Sequence, residues 1–241
     1  MKYQTKNLQP HSKIGLSFIS LLKHYYHVSN LDNLRQSLKD DLIATIFMGS
    51  GSGIFGSFIR GMYFKLFLNY KLPSMIGNRF RIINSSMVKV GKNLWIKDDV
   101  TIFAGDKMTI GDGCVLCDRS SIWSSKDGLK IGDGFSLGIG GYICGTEGRI
   151  AIGNKVIMAD NVRLYSWNHS LYSSLKTFSE NEISHRGITI GNNCWLGSGC
   201  VILDGVNLGD NCVVGAGAVV TKSFPKNSLI AGVPAKVVKT I

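Results

Sequence analysis

Proline is scarce in this chain, with 4 residues in 241, which excludes collagen-like and proline-rich disordered classes. Acidic residues are also few, 16 against 27 Lys and Arg, and none lies between Leu42 and Lys97. The resulting formal charge of +11 points to an anionic partner: nucleic acid, a membrane surface or a phosphorylated ligand. The basic residues form no recognisable nucleic-acid module and no spaced aromatic platform, so no nucleic-acid partner is expected. No window offers the ~18 uninterrupted apolar residues a spanning helix needs. The opening MKYQTKNLQPHSK lacks the layout of a signal peptide. Six scattered cysteines do not make a disulfide framework. A cytoplasmic protein of one large or two modest domains is expected, and 44% hydrophobic content supplies its core.

Glycine, by contrast, is abundant, at 29 residues, and much of it falls in a count of six. An aliphatic residue followed by Gly opens the hexads VGKNLW at Val90, IGDGCV at Ile110, IGDGFS at Ile131, IGNKVI at Ile152, IGNNCW at Ile190 and LGDNCV at Leu208. After Ile190 the phase runs through Leu196, Ile202, Leu208, Val214 and Val220 without a slip. Neither a 3.6-residue nor a 2-residue period carries a six-residue phase so far. Short strands joined at corners, three to a coil, do. The aliphatic residue points inward on each side, and Gly, Asn and Asp take the turns. Successive coils then stack at the ~4.8 Å strand spacing into parallel sheets. Cys114, Cys194, Cys200 and Cys212 share one hexad position, taken elsewhere by Val100, Phe135, Val156 and Val206. They read as small core residues, and the CVLC pair Cys114 and Cys117 as part of the repeat, not a redox or zinc motif.

Residues 1–75 do not follow the hexad and form a mostly helical, basic and apolar segment. Leu31, Leu34, Leu38 and Leu42 have helical spacing, with Ser29 or Asn30 as the cap. Gly51, Gly53 and Gly56 match GxGxxG, but neither a preceding strand nor the acidic residue ~20 positions on is present, so no dinucleotide site is expected. Ile54–Leu72 is aromatic, apolar and basic. It reads either as a helix lying on an anionic membrane surface or as a cap that buries its aromatics on the open end of the coil stack.

Over residues 76–241 the chain resembles the hexapeptide-repeat acyltransferases, most densely in ITIGNNCWLGSGCVILDGVNLGDNCVVGAGAVVTKSFPKNSLIAGVPAKVV. The resemblance implies an all-β fold: a left-handed parallel β-helix, preceded here by the helical segment. It is similar in particular to sugar and surface-polysaccharide O-acetyltransferases, of capsule, O-antigen or exopolysaccharide. It thus implies acetyl-CoA as acyl donor, a carbohydrate acceptor, a homotrimer and no metal. Contact with the inner face of an anionic membrane is a further expectation, from the basic segment.

From Leu164 to Ile190 the hexad gives way to 26 residues where one step takes 6, extruding a loop at about 166–187. His169 in SWNHS matches the family's catalytic histidine. A neutral imidazole is suited to take the proton of a sugar hydroxyl and return it to the leaving thiolate of CoA. His185 competes for the role, and Glu180, Glu182 or Asp160 is expected to orient the base. Trp167 and Asn168 are candidates for the acceptor. The resemblance places Ser198 and Ala216 along the pantetheine, Thr221 and Lys222 near the cofactor's far end, and Lys236 and Lys239 at its phosphates. Three alternatives use the same repeat: an N-acyltransferase for a nucleotide-linked amino sugar, a non-catalytic scaffold, and a zinc enzyme of the carbonic-anhydrase kind. The last needs three histidine ligands where only His169 and His185 fall in the repeat region.

Overall fold

A computed structural model describes residues 31–47, 54–68, 74–124, 127–169 and 182–241. Ser29, Asn30, Gly51, Gly53 and Glu180, all named above, lie outside those residues.

The six-residue count becomes three flat parallel sheets wound as one coil stack. The first sheet begins at Ser74–Ile76 and climbs to Ser228–Gly232, where Ala235–Thr240 folds back antiparallel. The second runs from Arg81–Ile83 to Val219–Val220, and the third from Val88–Val90 to Asn207–Leu208. Together they form a left-handed parallel β-helix of about six turns, all-β apart from the helices that precede it. Every in-phase aliphatic residue from Ile190 to Val220 is buried, and so are Met158 and Leu164, so the hexad is the core's own register. The four cysteines are buried in this core, Cys114, Cys194 and Cys212 beside the first sheet and Cys200 beside the second.

At the corner between the third and first sheets an Asp or Asn of each coil caps the coil below it. Asp112, Asp133, Asn154, Asn192 and Asp210 accept from the backbone N–H of Lys92, Asp112, Asp133, Asn154 and Asn192 respectively, at 2.6–2.8 Å. The next residue turns left-handed, as at Asn93, Gly113, Gly134, Lys155, Asn193 and Asn211. The two or three extra residues of the longer coils fall at another corner, between the second and third sheets. The equivalent inward residues Ile122 and Ile131 are nine apart there, while Ile202 and Leu208 are six apart. The long excursion after Leu164 leaves at this same corner.

Two helices precede the β-helix, α1 (Leu31–Phe47) and α2 (Ile54–Leu68). α1 is held to the first coil by Ser37 Oγ donating to Asn84 Oδ1 at 2.7 Å. α2 lies on the first strand through small residues and one cation. Gly56, Arg60 and Gly61 are buried, and Arg60 Nε donates to the Ile76 carbonyl at 2.8 Å. Its described large apolar residues face outward: Phe55 is 83% exposed, Phe58 and Ile59 about half, and Met62 is also exposed. The expectation that this helix buries its aromatics on the coil stack is therefore corrected for Phe55 and Phe58. Among the described side chains of α2, glycine and Arg60 are the ones buried against the first coil.

Candidate active site

The second sheet delivers the chain to the site. Arg163–Tyr165 is its fifth strand, and Ser166 pins the chain to the coil below as the excursion begins. The buried Ser166 Oγ lies 2.7 Å from the Gly148 carbonyl and 3.2 Å from that of Cys144, and Ser166 N donates to Cys144 O at 3.1 Å. The excursion is not an unstructured loop at its base. Asn168–His169 pairs antiparallel with Ile183–Ser184, His169 opposite Ile183 and Asn168 opposite Ser184.

A cavity of about 300 Å³ opens at this corner, lined by Tyr165, Trp167, Asn168, His169, Leu203 and Asp204. Trp167 meets the His169 ring edge-on, with centroids 5.4 Å apart. Nδ1 of His169 and Nε1 of Trp167 are buried with no hydrogen-bond partner among the described residues. Beneath the cavity the Tyr142 and Tyr165 rings are 5.8 Å apart, and burial pushes the Tyr142 hydroxyl's pKa well up, keeping it neutral. The arrangement is one imidazole, edge-on to Trp167, in a cavity that Tyr165 also lines, suited to proton transfer at a sugar-sized ligand.

The expected orienting carboxylates do not gather here. Asp160 sits at the corner between the first and second sheets, accepting from Ile139 N at 2.8 Å, so it does not serve His169. Glu182 is exposed. The carboxylate that shares the cavity with His169 is Asp204, which sequence reasoning passed over because LDGV reads as an ordinary corner. His185 is exposed, its Nδ1 lies 3.0 Å from the Ile183 carbonyl, and it does not line the cavity.

The residues expected along CoA fall at two corners. Thr221 and Lys222 sit one coil above Leu203 and Asp204, as Leu203 N donates to Val220 O, so they continue the His169 corner upward. Ser198 and Ala216 stack on each other at the opposite end of the second sheet, where Gly217 N donates to Ser198 O at 2.9 Å. There Gly199 and Gly217 have open space around their α-carbons. Lys236 and Lys239 are exposed on the final antiparallel strand, opposite Ala231 and Leu229. Among the described residues no group of three His, Cys, Asp or Glu is placed to hold a metal ion.

Known proteins share the repeat and the fold. Residues 187–222 match the family described as hexapeptide repeat of succinyl-transferase. Galactoside O-acetyltransferase of Escherichia coli K12 is 31% identical over 183 residues, spanning 76% of this chain and 78% of the relative. The chain belongs to the hexapeptide-repeat acyltransferases. As a member of that family it is an acetyltransferase. Another relative, Protein CapG of Staphylococcus aureus, is 47% identical over 92 residues, 38% of this chain and 53% of its own. Among solved structures, the N-acyltransferase AntD from Bacillus cereus, in complex with dTDP and coenzyme A, superposes with a TM-score of 0.57. It is 18% identical, over 64% of this chain and 84% of AntD, and shares the fold.

Proposed function

We propose that this acetyltransferase moves an acetyl group from acetyl-CoA to a hydroxyl of a sugar or surface polysaccharide, with His169 as general base. The observation that carries the reading is His169 in an aromatic-lined cavity, on a strand clamped at the root of the excursion. His169 takes the acceptor's proton as its oxygen attacks the thioester carbonyl, and returns it to the departing thiolate. Trp167 and Asn168 meet the acceptor. Thr221, Lys222, Lys236 and Lys239 meet the donor's polar end, the lysines as point charges for phosphate. Ser198 and Ala216 flank the pantetheine, at a corner small enough for close approach. Names of relatives such as galactoside O-acetyltransferase support a hydroxyl acceptor on a sugar.

Acetyl-CoA is the first ligand to test, because it requires no knowledge of the acceptor. At 100 times its dissociation constant it should stabilise the folded protein by about 2.7 kcal/mol. The shift should weaken in Lys222→Ala and Lys236→Ala and persist in His169→Ala. In an acceptor screen His169→Ala should lose roughly 10²–10⁴-fold in kcat. Sugars bearing a hydroxyl and nucleotide-linked amino sugars belong in the same screen, and exclusive acetylation of the amine would replace the present reading. No shift with any acyl-CoA would sink it.

Ser198 and Ala216 lie at one end of the second sheet and His169 at the other, too divided to flank one thioester within a single chain. A homotrimer, in which the Ser198 corner of one subunit meets the His169 corner of the next, brings them together. The outward apolar face of α2, with no acidic residue between Leu42 and Lys97, supports contact with an anionic membrane. Vesicles containing phosphatidylglycerol should sediment the full chain at low salt, and Phe55→Ser with Phe58→Ser should release it. Equal sedimentation of that variant would rule out the helix as the contact.

A further inference from the structure

Asp204 is an anomaly of the repeat. Two residues after each inward residue of the second sheet come Asn84, Ala104, Ser124, Gly145, Ser166, Asp204 and Lys222 in successive coils. Six of these are small, neutral or, in Lys222, exposed. Only Asp204 is a carboxylate enclosed in protein, its side chain 3% exposed. Enclosing a carboxylate costs several kcal/mol unless donors replace its water. Winding a coil needs no such group, because Leu203 and Gly205 find backbone partners without it.

All the donors come from one place. Asp204 Oδ1 accepts from the Gly187 N–H at 2.8 Å, in a buried bond. Oδ2 accepts from Ser184 Oγ at 2.7 Å, and Arg186 Nε stands 3.7 Å away. Gly205 N adds a bond to the Gly187 carbonyl at 2.8 Å. Ser184 to Gly187 is the returning limb of the excursion, and Ile183–Ser184 is the strand paired with Asn168–His169. One carboxylate thus gathers the limb that backs the imidazole, while lining the imidazole's cavity itself. Ser166 performs the matching task at the start of the outgoing limb, bonding to carbonyls of the coil below.

We propose that Asp204 is a positioning residue for His169: it fastens the returning limb to the β-helix, and that limb fixes the strand that presents the base. The inference rests on the reading of His169 as the base. It assigns Asp204 no contact with either substrate.

The test compares Asp204→Ala and Asp204→Asn in the full chain. Asparagine keeps an oxygen for the Gly187 N–H, and its amide donates to Ser184 Oγ, so the latch survives without the charge. Two readouts need no acceptor. Amide exchange in residues 166–169 and 182–188 should quicken at least fivefold in Asp204→Ala, with Val201–Ile202 and Val213–Val214 unchanged. In histidine ¹⁵N-labelled protein, the His169 ring signals, assigned by their loss in His169→Gln, should move in Asp204→Ala and return in Asp204→Asn. With an acceptor in hand, kcat should fall at least tenfold in Asp204→Ala while KM for acetyl-CoA stays within twofold, and Asp204→Asn should recover most of it. Unchanged exchange and ring signals in Asp204→Ala would overturn the proposal, and so would an asparagine variant no better than alanine. If Asp204→Ala fails to fold, Ser184→Ala removes one bond of the latch and should quicken exchange in the same two segments, and unchanged exchange there would equally overturn it. Failure of the acyl-transfer reading would instead show as no response to acetyl-CoA with the exchange result intact.

Discussion

Cys200 shows how far a single residue is governed by its place in the repeat. It is fully buried, and burial pushes its thiol up from 9.0 to about 12, while Cys194 is pushed up to about 11. A neutral thiol is the form these sites accept. For a pKa raised on folding, the stabilisation is complete below the unfolded value and is lost as pH rises through the folded one. Stability should therefore drop between pH 9 and 12, each such thiol contributing at most about 1.4 kcal/mol per pH unit. Urea unfolding at pH 8 and pH 10 should show a smaller loss for Cys200→Ala than for the parent chain. An identical loss would mean that Cys200 ionises in the folded protein. The same inertness explains why CVLC, a possible redox motif by letter, is structural: Cys114 is buried and its thiol is likewise pushed up by burial.

At the scale of the element, the corner between the third and first sheets does most to hold the register. Side-chain oxygens cap the coil below, and a left-handed residue follows each one. Asn154 accepts from Asp133 N at 2.8 Å, so Asn154→Ala should cost about 1 kcal/mol. Lys155 follows at φ 54°, the one lysine at these turns, with its side chain exposed. A left-handed conformation costs an ordinary residue roughly 1–2 kcal/mol, and asparagine adopts it more readily. Lys155→Asn should therefore stabilise by about 0.5 kcal/mol, and the two changes should move the urea midpoint in opposite directions. The antiparallel ribbon at the root of the excursion is a different kind of element. Among the described residues it has two residues per strand, too few to hold itself, so it depends on Ser166, bonded to the coil below, and on Asp204 from the coil above.

At the scale of the molecule, one chain carries two halves of the proposed site on different corners. If subunits complete each other, two inactive chains should rescue one another. Co-expressed His169→Ala and Ser198→Trp subunits should recover a measurable fraction of parent activity in mixed trimers, whereas each variant alone should not. Light scattering should give about three times the 26.3 kDa chain mass. No recovery from verified mixed assemblies would place the whole site within one chain.

The hexad alone determined the β-helix, its core column and the cysteines' role, because a strictly local period dictates which side chains can point inward. It also marked the excursion that carries His169 and His185, because a break in so regular a count is visible without coordinates, and the family resemblance then singled out His169. The tertiary structure decided the rest, through contacts between residues far apart in sequence or facing that no period encodes. Asp160 lies near the excursion in sequence, yet faces another corner. Asp204 lies 35 positions after His169, yet shares its cavity because one coil stacks on the next. The outward turn of Phe55 and Phe58 was equally out of reach: a helical period fixes which residues share a face, but the contact of Arg60 with the Ile76 carbonyl lies in the tertiary structure.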